Sequence, residues 1–132
     1  MEGEPIRKVI EMTAMDAIRE ADRLRPNCFP AEDKLRWLAR LEARIREEIL
    51  QRYEGEIPTT EETDPEAPDR QLTAEAPYDE MYVHWLCAQM ALYEQELESF
   101  NAANALFEEV FGSFRSAYNR EHRPCARAKR YF

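Results

Sequence analysis

Glycine is scarce in this chain: Gly3, Gly55 and Gly112 are the only three in 132 residues. That leaves no glycine-rich phosphate loop, no dinucleotide-binding fingerprint and no Gly-x-Ser-x-Gly nucleophile elbow. Cysteine is equally sparse. Three residues (Cys28, Cys87 and Cys125), an odd number with no Cys-x-x-Cys spacing, exclude a disulfide framework and point to a reducing compartment. No apolar run reaches the length of a membrane-spanning helix, and Met1 to Lys8 lack the basic-then-apolar grammar of a signal peptide. A protein with no membrane contact is expected.

Basic residues are missing from one long stretch. The formal net charge is −9, but it is unevenly spread. Residues 1–53 hold 11 acidic and 11 basic groups. Residues 54–112 hold 15 acidic groups and one basic, Arg70, for −14. Residues 113–132 hold six basic groups and Glu121 alone, for +5; the sum is 0 − 14 + 5 = −9. An acidic chain is a poor general binder of nucleic acid, because phosphate repels it. Charge of one sign segregated along a chain marks surfaces that meet something.

What is present is helical periodicity, and the spacing predicts an all-α fold: a small four-helix bundle in one domain, residues 1–122. Thr13 and Asp16 form a capping-box pattern that opens a helix over about 13–25, with Ala14, Ala17, Ile18, Ala21 and Leu24 on one face and Pro26 beyond its end. A second helix, about 30–53, carries Leu38, Leu41, Ile45, Ile49 and Tyr53 as its apolar stripe, flanked by Leu35 and Trp37. Its other face alternates Lys34, Arg36, Arg40, Arg44 and Arg46 with Glu32, Asp33, Glu42, Glu47 and Glu48. A third, about 78–98, repeats Tyr78, Met81, Tyr82, Trp85, Leu86, Gln89, Leu92, Tyr93 and Leu97. The fourth, about 101–121, follows a cap at Ser99 or Asn101, and its Phe107, Phe111, Phe114 and Tyr118 extend a repeat begun at Phe100. The aromatic pairing of helices three and four is expected to be the structural spine.

Between helices two and three, residues 55–77 hold four prolines and seven acidic groups, and read as an extended acidic loop without a core of its own. A basic C-terminal tail, residues 123–132, follows helix four.

Candidate chemistry is thin. Glu80, His84 and Cys87 share a helix face at i, i+4 and i+7 and could offer three metal ligands; a half-buried His and a core Cys beside Trp85 is the simpler reading. The Glu-x-x-His pair of a di-iron bundle is absent, and His122 near Cys125 lacks a framework for nucleophilic catalysis. Helix three, the place for a recognition helix, has no Lys or Arg from Tyr78 to Glu98. The expectation is a protein that is not an enzyme and needs no cofactor or metal.

Two stretches carry a resemblance. Met15-Asp-Ala-Ile-Arg-Glu-Ala-Asp-Arg-Leu-Arg-Pro-Asn27 leads to Lys34-Leu-Arg-Trp-Leu38, and Pro77-Tyr-Asp-Glu-Met-Tyr-Val-His-Trp-Leu86 leads to Phe107 and Tyr118-Asn-Arg120. Over roughly residues 12–53 and 72–123 the chain resembles the head–tail connector (adaptor, head-completion) proteins of tailed phages and prophages. The resemblance implies a structural virion protein of the neck, made in the bacterial cytoplasm and forming a ring under the portal protein. Its implied partners are the portal, neighbouring copies of itself in a ring matching the portal's twelvefold symmetry, and a downstream stopper or tail-completion protein. Double-stranded DNA would pass through without specific binding. On that reading Glu56, Glu61, Glu62, Asp64 and Glu66, or an edge of helix three, face the DNA channel. Arg120, Arg123, Arg127, Lys129, Arg130, Tyr131 and Phe132 dock on the portal or a neighbouring subunit. The alternative from another class is an acidic helical protein-binding or inhibitory module that mimics nucleic acid.

Overall fold

The computed structural model describes residues 12–49 and 64–121. Among them lie four helices and no strand: α1 (Ala14–Leu24), α2 (Ala31–Glu48), α3 (Glu80–Tyr93) and α4 (Leu97–Glu121). The fold is all-α, as the periodicity predicts. Aromatic pairs give its directions. Tyr78 meets Phe114 (5.7 Å between ring centroids) and Trp85 meets Phe107 (5.2 Å), so α3 and α4 run antiparallel. Trp37, early in α2, stacks on Tyr93, late in α3, and Glu42 further along α2 lies beside Tyr82 near the start of α3, so these two are antiparallel as well.

Helix α1 starts as its capping box dictates. The Thr13 hydroxyl accepts from the Asp16 N–H (3.2 Å) and the Asp16 carboxylate from the Thr13 N–H (3.1 Å). Its small residues Ala14, Ala17 and Ala21, with Ile18, are all buried. Helix α3 departs from the amphipathic pattern expected of it. Val83 and Ala88 are buried along with Met81, Tyr82, Leu86, Met90 and Ala91, because α1, α2 and α4 all pack on it. A helix apolar on every side is a central one. Among the described helices the backbone of α4 runs close to that of α3 alone, and Phe107, Phe111 and Phe114 are buried along it. Arg44 of α2 completes that seam, its guanidinium 4.5 Å from the centroid of the Phe111 ring.

The boundary between α3 and α4 lies earlier than expected. The chain reverses at Glu94-Gln95-Glu96, so residues 97–100 begin α4 rather than end α3. The Glu96 N–H donates to the Ala91 carbonyl and the Gln95 N–H to the Leu92 carbonyl, the bond pair of a Schellman motif, with Gln95 at φ 60°. A glutamine in the left-handed position normally given to glycine conceals this stop. Leu92 and Leu97, expected on the buried stripe, are consequently exposed.

The second correction concerns the acidic loop. Its described part, 64–77, is a strap built into the domain. The Ala14 N–H donates to the Arg70 carbonyl and the Met15 N–H to that of Pro68, while the Leu72 N–H donates to the Met12 carbonyl. The strap thus takes up two of the amide donors that α1 leaves unpaired at its start. Leu72 and Ala74 are buried. Two small apolar residues and three backbone bonds suffice because the charges nearby are also paired.

Candidate functional site

The strap is held from below by Glu42. Counted from sequence among the solvated residues of α2, Glu42 is 5% exposed. Its carboxylate accepts from the Thr73 N–H (3.2 Å) and the Thr73 hydroxyl, and pairs with the Arg70 guanidinium at 3.8 Å. Arg70 also donates to the Pro65 carbonyl (3.2 Å). Tyr82 of α3 hydrogen-bonds to Glu42, and its own oxygen accepts from the Ala74 N–H (2.9 Å). Burial first, then the charge and the hydrogen bond of Glu42, push the Tyr82 phenol well above its ordinary value. Lys34, also expected in solvent, is buried with its Nζ 2.8 Å from Asp22. A polar residue spaced for the outer face of a helix turns inward when a neighbouring segment covers that face, and no periodicity in α2 announces the strap.

One consequence is electrostatic. Arg70 is the single cation of residues 54–112, and the fold consumes it internally. Asp64, Glu66, Asp69, Glu75 and Glu80 on the strap and the start of α3 are exposed, as are Glu98, Glu108 and Glu109 on α4. Asp79 is half-buried, and burial, followed by the nearby Glu80, raises its carboxyl. Helix three itself presents little acidic edge: within Glu80–Tyr93 the sole acidic residue is Glu80, so the acidic surface is made by the strap and α4.

Of the residues expected to face a channel, Asp64 and Glu66 are exposed, but neither is an idle charge. The Asp64 carboxylate accepts from the Glu66 N–H (3.0 Å), closing a turn, and Glu66 lies near enough to Arg36 to favour its charged form. Glu56, Glu61 and Glu62 lie outside the described residues, as do Tyr53 and Gly55 at the expected end of helix two. Of the docking set, Arg120 is exposed near the end of α4, and lines a groove with Tyr78, Glu109 and Ser116. Arg123, Arg127, Lys129, Arg130, Tyr131 and Phe132 lie outside the described residues.

The Glu80–His84–Cys87 face does not assemble a ligand set; among the described residues no three His, Cys, Asp or Glu side chains converge to hold a metal ion. Burial raises the Cys87 thiol, with Arg25 opposing, so the unreactive thiol is favoured there.

A further feature was illegible in sequence. At the α3–α4 turn, Arg25 from the end of α1 reaches both Glu94 and Glu96. Beside this triad, Ala91, Leu92, Gln95, Glu96, Leu97 and Phe100 line an apolar notch of about 270 Å³. Leu97 is 68% exposed and Tyr93 54%. The displaced helix boundary is what brings these residues together at one corner. No helix of the described residues is long and apolar enough to cross a membrane. Comparison with protein-family models, with curated proteins and with solved structures finds no match for the chain.

Proposed function

We propose that this protein is a head–tail connector subunit of a tailed-phage neck, a structural virion component that forms a ring under the portal and continues the DNA channel. The observation that carries the reading is the fate of Arg70. With the single cation of residues 54–112 drawn inside against Glu42, the strap, α3 and α4 as far as Gly112 keep acidic groups with no exposed cation of their own segment. A DNA conduit needs such a wall. Every lysine or arginine touching phosphate adds counterion-release free energy to binding and must be undone as DNA moves, whereas an acidic wall leaves the duplex centred and free. On this reading the exposed Asp64, Glu66 and Asp69 of the strap supply that wall together with Glu56, Glu61 and Glu62, which precede them in sequence. The basic segment from Arg120 to Phe132 supplies attachment. Individual exposed ion pairs contribute at most about 1 kcal/mol, but a ring repeats each one around its circumference.

The test is co-sedimentation of the full chain with the portal ring encoded in the same genome, followed by cross-linking in assembled particles. Capture by the portal, with cross-links from residues 120–132 to portal or neighbouring subunits, is expected. Absence from particles and no retention by the portal would overturn the reading. Retention instead by a basic DNA-binding protein would replace it with the nucleic-acid-mimic alternative.

A further inference from the structure

The geometry points to the notch at the α3–α4 turn as the docking site for Tyr131 and Phe132 of a second copy of this chain, which makes the joint between subunits head-to-tail. The notch is apolar, and its volume, about 270 Å³, compares with the roughly 150 Å³ in which a benzene ring fits; one or two aromatic rings match it. Its rim is acidic. Glu94 and Glu96 pair with the single guanidinium of Arg25, and Glu98 follows in the exposed first turn of α4, for 1 − 3 = −2. The segment that precedes the two aromatics carries Arg127, Lys129 and Arg130, for +3, and no acid. Apolar anchors flanked by cations therefore meet an apolar notch flanked by carboxylates, an arrangement that combines a desolvated centre with a charged rim.

Distance favours a second copy over the same chain. From Glu121 at the end of α4 back to Phe100 at the notch is 21 residues of helix, about 32 Å. The ten residues from Glu121 to Tyr131 span at most about 33–36 Å when fully extended. Reaching its own notch would require the segment to lie straight along α4 without slack, which is the entropically least favoured way to arrange it. The chain leading to the two aromatics leaves the described fold at Glu121, at the opposite end of α4 from the notch. Such a heterologous contact propagates from copy to copy, and closes into a ring when its rotation permits. The inference deepens the connector reading and rests on it for ring closure alone.

The experiment mixes two variants of the full chain in sedimentation velocity. Leu97→Arg spoils the notch at a solvent-exposed position, and the pair Tyr131→Ser with Phe132→Ser spoils the anchor. Wild type is expected to self-associate with concentration, and less so in high salt. Each variant alone is expected to lose about tenfold or more in association constant. An equal mixture should recover dimers and stop there, because it holds one intact notch and one intact anchor. Three results would overturn the inference: a wild type that stays monomeric, variants that associate normally, or a mixture that recovers nothing, as docking within one chain demands. Circular dichroism on both variants confirms that the fold is retained. No portal is involved, so failure here leaves the portal co-sedimentation standing, and failure there leaves this joint standing.

Discussion

Replacing Arg70 by Met should be the most damaging single change on the strap, and its size can be worked from the geometry. Arg70 and Glu42 have side chains only 9% and 4% exposed. Removing one partner of a buried pair costs about 3–5 kcal/mol, because a desolvated charge is left without its counter-charge. The separation of 3.8 Å makes this an ion pair rather than a hydrogen bond, and Glu42 retains the Thr73 and Tyr82 donors. The lower end, about 3 kcal/mol, is therefore expected. Against a total stability of about 5–15 kcal/mol for an ordinary domain, that is a large fraction. Urea unfolding measures the loss, and hydrogen exchange locates it: the Ala14, Met15 and Leu72 amides, which bond across the strap, should exchange faster than those of α3. The double variant Arg70→Met, Glu42→Gln is the decisive control. Glutamine keeps an acceptor for Thr73 but carries no charge, so the double variant should be more stable than Arg70→Met by about 1–2 kcal/mol. If Arg70→Met stays within about 0.5 kcal/mol of wild type, or if Glu42→Gln brings no recovery, the strap is not held by a buried charge pair.

Three further changes probe other parts of the molecule. Gln95→Gly should stabilise the protein by about 0.5–1 kcal/mol, since the left-handed cost of about 1–2 kcal/mol is relieved and partly offset by the greater freedom of glycine when unfolded; a shift in urea midpoint at constant slope reads it. Tyr82 keeps its proton in the folded state above the pH where an unfolded phenol loses it. Stability should accordingly be level below pH about 10 and fall as pH rises through the ordinary tyrosine value, and Tyr82→Phe, though weaker at neutral pH, should flatten this alkaline decline in thermal melts. Replacing Glu61, Glu62 and Glu66 together by Gln should leave stability within about 0.5 kcal/mol while slowing DNA release from assembled particles; Asp64→Asn is a different case, because its side chain closes a turn.

The fold was legible where periodicity and capping agree. Thr13 with Asp16, the alanine face of α1, and the Phe107–Phe111–Phe114 seam are local patterns whose tertiary meaning follows directly. Three features were hidden, each for its own physical reason. Gln95 occupies a backbone conformation its side chain disfavours, so no glycine marked the α3–α4 reversal. Glu42 and Lys34 look solvated because polarity signals exposure only where nothing covers the residue, and their partners lie 31 and 12 positions away. The all-round burial of α3 is a property of three neighbours rather than of its own pattern.

The strap connects these observations to the connector reading. A loop of acidic residues projecting from a small domain would repel its own domain's acidic helices and adopt many positions, a poor lining for a conduit of fixed bore. Tying residues 64–77 to the start of α1 and to Glu42 fixes where Asp64, Glu66 and Asp69 stand. The cation that makes the tie is the one that would otherwise grip phosphate. Substituting Arg70 therefore has two consequences that can be separated. With Glu42→Gln present, the strap should be restored while the exposed acidic groups remain in place, so portal co-sedimentation and DNA release should recover together with stability. If stability recovers and assembly does not, Arg70 has a role at the subunit surface, and the acidic wall is not maintained by burying it.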